Sequence, residues 1–274
     1  VKFRWFVALS LVFASVLVAT TLRDRTPNRA EFCVADVGQV QAQVDLEQAQ
    51  WASLMAAIAH RRGLPPRATT IAIATAFQES RIHNIDYGDR DSIGLFQQRP
   101  SQGWGTIEQI MDPYYSTGKF YDALVKVPGY ATMDINDAAQ TVQRSGFPDA
   151  YAQHENYSRA LASALRGHSP AKFTCQLNPR GAGSAKRVQQ AVGDALGAWP
   201  SSRDGDTVTY PLSGDVAAVK VQGWTLAHFL VANAARLNIH DVSFRGRTWT
   251  VRSSHEGWRK DDKALKTAVR VSVR

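Results

Sequence analysis

Long apolar runs are scarce in this chain: after one near its start, nothing of that length recurs in the 274 residues. One such segment cannot build an alternating-access bundle, so a membrane transporter is excluded. Cysteine is nearly absent too, with only Cys33 and Cys175 present. Cys33 follows Ala30-Glu31-Phe32, which is no lipobox, so it is not a lipoprotein cysteine. Acidic residues are outnumbered, 24 Asp and Glu against 32 Lys and Arg, for a net charge of +8. From Gln176 to Arg274 the count is 15 cations against 8 acids, so +7 of the excess lies in the last third. A basic region of that kind concentrates acidic surfaces around it, and outside a membrane those are anionic wall polymers or lipid headgroups. Nucleic acid is the competing partner, but no binding motif accompanies the charge.

What is present begins with Lys2 and Arg4 ahead of an apolar run, Trp5 to Ala19, closed by Arg23, Asp24 and Arg25. That order reads as an export signal or a single short anchor over residues 1–25, with cleavage and anchoring both open. The body then faces outward, secreted to the wall or held on the cell membrane. Residues 26–45 are polar and proline-interrupted and read as a linker. Helical spacing or composition follows at Leu46 to Arg62, Ala68 to His83, Tyr115 to Leu124, Ile135 to Gln143 and Tyr151 to Leu165, with Asp134 and Asp149 as expected N-caps. Residues 46–170 therefore read as a mostly helical domain with no strand run of any length.

The most informative stretch is AFQESRIHNIDYGDRDSIGLFQQRPSQGWG, from Ala76 to Gly105. The segment before Glu79 is apolar or small on nearly every face, which marks a buried helix. A carboxyl at the end of such a helix, held partly from water, keeps its proton to higher pH, as a departing glycosidic oxygen requires. Glu79 is therefore the candidate general acid.

The pairing of Glu79-Ser80 with Ser92-Ile93-Gly94-Leu95-Phe96-Gln97 resembles the lysozyme-like superfamily, in its soluble lytic transglycosylase and goose-type lysozyme branch. The resemblance covers roughly Trp51 to Arg166. It implies a single acid/base, Glu79, with Ser80, Ser92 and Gln97 at the sugar cleft. The late Ala-Tyr-Asn-x-Gly motif of many transglycosylases is missing. In its place Ala139 to Tyr151 is similar to the matching segment of actinobacterial wall-lytic proteins, which puts Tyr151 among the substrate-binding candidates. From the residues alone, Ser92 and Gln97 serve equally well as turn caps.

The loop His83 to Asp91 offers aspartates that would make a second carboxylate, as in two-carboxylate hydrolases; a turn-rich loop bonding its own backbone is the favoured reading. Calcium is disfavoured because the glycine position and terminal glutamate of an EF-hand loop are missing. Trp104, between Gly103 and Gly105, is the aromatic best placed to stack on sugar, whereas Tyr114, Phe120 and Leu124 recur at helical intervals and read as core. The two cysteines bracket the helical region of an exported chain, so a Cys33–Cys175 bridge is expected, contributing on the order of 4 kcal/mol. Two free thiols are the alternative.

Residues 171–205, rich in Gly, Pro and Ser at Asn178 to Ser184, read as a second linker. Beyond it, Thr207–Tyr210, Val216–Val221, Val242–Phe244, Thr248–Val251 and Val269–Val273 read as strands around an amphipathic helix, Trp224 to Leu237. The region 206–274 weakly resembles a C-terminal domain of actinobacterial wall hydrolases, itself distantly similar to zinc D-alanyl-D-alanine carboxypeptidases. Glu256-Gly257-Trp258-Arg259 has arginine where that family's metal-binding histidine would stand, so no metal is expected.

The fold class expected is α+β: a mostly helical lysozyme-like domain, then a small α/β sandwich-like domain, preceded by one apolar segment. The expected activity is cleavage of the MurNAc–GlcNAc β-1,4 bond of peptidoglycan through Glu79, with no cofactor, as a muramidase or lytic transglycosylase. A non-catalytic wall-binding or scaffolding protein is the alternative.

Overall fold

Helix α1, Leu46–Arg61, begins where Asp45 accepts from the Gln48 N–H while the Gln48 side chain returns to the Asp45 N–H. That reciprocal pair satisfies two otherwise orphaned donors and fixes the start of the helix. A computed structural model describes residues 29–274. The apolar run Trp5 to Ala19, read as signal or anchor, lies outside the described residues; among those described, no helix is long and apolar enough to cross a membrane.

Ahead of α1 stand strands β1, Phe32–Val37, and β2, Val40–Val44. Then come α2, Pro66–Ser80; α3, Ile107–Ile110; α4, Pro113–Leu124; α5, Ile135–Gln143; α6, Glu155–Leu165; and β3, Phe173–Gln176. Helix α2 is buried from Ala68 to Ala76 and packs against α1, α5 and α6, as an all-apolar helix must. The remainder is α7, Ala185–Leu196; β4, Ser202–Asp204; β5, Thr207–Pro211; α8, Val216–Ala232; α9, Ala234–Leu237; β6, Asp241–Phe244; β7, Arg247–Thr250; β8, Arg259–Lys260; and β9, Ala268–Ser272. The fold is α+β. Strands β2-β1-β3 form one antiparallel sheet, and β4-β5-β9-β6-β7-β8 form a second.

Several sequence expectations are corrected. Residues 32–44 are not a linker but a hairpin turning at Gly38, whose φ of 62° suits a residue without Cβ. Its alternation is real, with Cys33, Ala35, Ala42 and Val44 inward, but small residues carry it and the polar partners mask it. The second linker likewise holds β3 and α7. Val216–Val221 is the opening of α8, not a strand. A short apolar run is ambiguous between the two, and Asp215, accepting from the Ala218 N–H at 2.7 Å, decides for helix. Nor is α8 amphipathic, since Gly223 to Ala232 is buried throughout. Asp134 stands at its N-cap position without capping through its side chain, and α6 starts at Glu155, well past Asp149.

The cause of that all-round burial is position. Helix α8 lies between α1 and α6 on one side and β3, β6 and β9 on the other. At Gly223 a Cβ would collide with the Phe244 ring, so only glycine permits this approach. Residues Glu31–Arg274 consequently form one compact unit with a shared core, and the 206–274 region is part of it. Indole donors tie the halves: Trp249 Nε1 to the Cys175 carbonyl at 3.1 Å and Trp258 Nε1 to the Phe173 carbonyl at 2.8 Å. Cys33 and Cys175 are paired, directly opposite each other on β1 and β3, with Cα atoms 3.9 Å apart.

His228 of α8 is wholly enclosed, among Trp224, Trp258 and Phe173, with Nδ1 donating to the Ala164 carbonyl at 2.7 Å. Its Nε2 is buried and unpartnered among the described residues. Burial lowers its pKa to about 4, against a smaller upward pull from the Ala164 carbonyl. The unfolded chain thus binds this proton near pH 6.5 while the folded chain refuses it until about pH 4. Stability is complete above pH 6.5 and declines as pH falls toward 4, by on the order of 3 kcal/mol from this residue. His60, lowered to about 4 chiefly by burial, adds to the same trend. Urea midpoints at pH 7 and pH 4.5 should differ accordingly. A His228→Leu variant should show a visibly smaller difference; an equal difference would assign the acid sensitivity elsewhere.

Candidate active site

Helix α2 ends one residue after Glu79 because Arg81 and Ile82 both turn left-handed, with φ of 56° and 58°. Their N–H groups return to the carbonyls of Phe77 and Ala76. A β-branched residue in that region is strained, and full burial of the Ile82 side chain holds it there. Among the described residues eight non-glycine residues have positive φ, and five of them, Arg81, Ile82, Arg90, Gln97 and Arg144, fall in the segments around Glu79 and the groove. Strain concentrated in one region marks it as the functional candidate.

Tyr151, fully buried, donates its phenol to Glu79 Oε1 at 2.6 Å. Burial and then the Glu79 carboxylate push the phenol's pKa far up, with the Ser145 hydroxyl pulling the other way, so Tyr151 stays a donor. The other Glu79 oxygen accepts no hydrogen bond from the described residues, and the residue is half-buried. On the flank of α2, Gln78 bonds the side chains of Gln153 and His154, and His154 stacks on Phe77 at 5.3 Å.

The remaining sequence candidates divide between scaffold and cleft. Ser80 is buried, and its hydroxyl donates to the carbonyls of Ala76 and Leu95 at 3.1 and 2.8 Å; it fastens the helix end to the next turn. Ser92 is buried with its backbone N–H on Asp89. Gln97 donates to the Tyr87 carbonyl at 3.2 Å, and a Cβ at Gly88 would collide with its side-chain oxygen. The Ser80 and Gln97 side chains brace the loop; capping was the alternative reading of Ser92 and Gln97, and of these two only Gln97 bonds the loop through its side chain here. Asp91, one of the loop aspartates, accepts from Arg99 Nε at 2.6 Å and the Ser101 N–H at 2.8 Å. Hydrogen bonds from Ser101, then the Arg99 guanidinium, hold its carboxyl well below the usual range. Asp89 lies beside Arg90, and Asp86 is exposed.

Trp104 lies in the wall of a groove of about 640 Å³ with Gln102, Lys126, Val142, Gln143 and Arg144. Its carbonyl accepts from the Tyr115 hydroxyl, and Phe120 and Tyr121 are core, the former stacked on Phe96 at 4.5 Å. The groove joins the Glu79 locality through the chain itself. Gln143 Nε2 donates to the Phe96 carbonyl, whose neighbour Leu95 accepts from Ser80 beside Glu79. Glu79 itself does not line the groove.

Sequence reasoning missed Phe147 and Tyr87, which are 76% and 69% exposed on the loops carrying Ser145 and Gln97. The signal for Phe147 was its place between Gly146 and Pro148, where no helix could bury it. Among the described residues, no three His, Cys, Asp or Glu side chains converge to hold a metal ion.

Comparison with known proteins adds one match. The family model "VldE, C-terminal domain" matches residues 176–267, less than half of the chain and outside every residue of the candidate site. No curated protein matches the chain.

Proposed function

We propose that the chain cleaves the β-1,4 bond between MurNAc and GlcNAc in peptidoglycan, with Glu79 as its single acid/base. The observation that supports this is the 2.6 Å bond from buried Tyr151, which fixes one carboxyl oxygen of Glu79 and leaves the other without a hydrogen bond among the described residues. In the first half-reaction Glu79 gives its proton to the bridging oxygen as the C1–O bond breaks. In the second, the resulting carboxylate takes a proton from the incoming nucleophile as its oxygen bonds to C1. If that nucleophile is the muramyl 6-hydroxyl, the product is a 1,6-anhydro sugar and no water is consumed; if water, a reducing end. The engagement of Asp91 by Arg99 and Ser101 takes one aspartate out of contention as a second carboxylate and favours the anhydro route.

A second reading, a glycan-binding or scaffolding protein, is favoured by one fact: Glu79 is not among the residues that line the groove of Trp104 and Arg144. End-group analysis of soluble muropeptides by mass spectrometry separates these. Anhydro ends support transglycosylation, reducing ends support hydrolysis, and no soluble product supports binding alone. The site faces the wall under either reading, with the chain secreted or membrane-anchored. Anionic wall polymers or lipid headgroups remain the proposed partners of the basic last third.

A further inference from the structure

The groove beside the candidate site is electrostatically one-sided. Lys126 and Arg144 line it, both exposed and neither in an ion pair with a described residue, and no acidic side chain among the described residues lines it. The nearest acid on α4, Asp122, is drawn away to Arg62 at 2.7 Å. Arg144 is placed by the fold, since it ends α5 in the left-handed region at φ 53°, a conformation that a non-glycine residue adopts at a cost. Trp104 and Gln102 add an aromatic face and an amide to the walls, the chemistry that meets sugar C–H faces and hydroxyls or N-acetyl groups.

A neutral glycan would give the two cations nothing to pair with. We infer that this groove reads the carboxylates carried by the substrate, so that Lys126 and Arg144 select glycan bearing acidic peptide stems over neutral β-1,4 glycan. The inference rests on the glycan-cleaving reading of Glu79 for its setting, but the recognition itself does not depend on turnover. The groove and the Glu79 locality share the turn after Ser92: Gln143 of the groove bonds the Phe96 carbonyl, and Ser80, next to Glu79, bonds the Leu95 carbonyl. Lys126 and Arg144 are accordingly specificity residues.

The test uses the full chain, Glu79→Gln in the same background, and Lys126→Gln/Arg144→Gln. The ligands are peptide-bearing glycan strands, the same strands stripped by an amidase, and neutral GlcNAc oligomers. Binding to Glu79→Gln should be strongest for peptide-bearing strands and should weaken with added salt. The double substitution should lower the preference for peptide-bearing over neutral glycan about fivefold, in KM and not kcat. Lys126→Arg/Arg144→Lys should restore most of it. Equal affinity for all three ligands, or a preference unmoved by the double substitution, overturns the inference whether or not the protein is lytic. A charge-dependent preference in a protein that releases no product upholds the groove and sinks the cleavage reading alone.

Discussion

A fragment ending at residue 205 is expected to show no cooperative thermal transition, although it keeps all of α1 to α6. Helix α8 supplies the apolar face against which α1 and α6 pack, so its loss exposes the Ala, Leu and Met side chains they bury. It also strips donors from enclosed groups: His228 from the Ala164 carbonyl, Trp249 from Cys175, Trp258 from Phe173, and Asn233 from Ser53. The lost apolar burial is the larger cost, since a domain is stable by only about 5–15 kcal/mol in total. Circular dichroism on heating decides the matter. A sharp transition in the fragment, close to that of the intact chain, would show that the helical half stands alone.

Removing the Cys33–Cys175 bridge has the next largest expected effect on stability. Its partners are 142 residues apart, so closing that loop restricts the unfolded chain by about 4–5 kcal/mol in the chain-entropy model. Both sulfurs are buried, so alanine is the substitution that adds no stranded hydroxyl. Cys33→Ala/Cys175→Ala should unfold at markedly lower denaturant and be indifferent to dithiothreitol, which should destabilise the parent to the same degree. The fold itself should survive, because the β1–β3 ladder and the Glu31–Arg180 pair, at 2.6 and 2.9 Å, hold the same strand ends. A shift below about 1 kcal/mol would mean that the unfolded chain is already compact.

How much of this was legible follows from what each signal depends on. Helices α1, α2, α4 and α5 were readable because their apolar spacing and ends are local properties of the chain. The β1–β2 hairpin was not, since small residues carry its inward face and its partner strand β3 lies some 140 positions away. Val216 opens a helix for a reason visible in Asp215, but the burial of α8 on all sides depends on two surfaces remote in sequence. At the candidate site, the position of Glu79 at the end of a buried helix was legible from the apolar run before it, whereas its proposed role came from the resemblance carried by the Ser92 to Gln97 turn. Tyr151 was named without its partner, because a hydrogen bond across 72 positions leaves no periodic trace. Ser80 and Gln97 were legible only as polar residues near a turn; the Leu95 and Tyr87 carbonyls they bond show that they brace it.

The central claim is that the Glu79 carboxyl performs the chemistry, and the most direct test is the paired digestion of peptidoglycan by the parent and by Glu79→Gln. General acid–base catalysis contributes about 10²–10⁴-fold, so the variant should release soluble muropeptides at a rate lower by at least two orders of magnitude. It should keep the parent's circular dichroism spectrum and still sediment with the wall. Equal release by both proteins, or release by neither while both remain bound to the wall, would contradict the account.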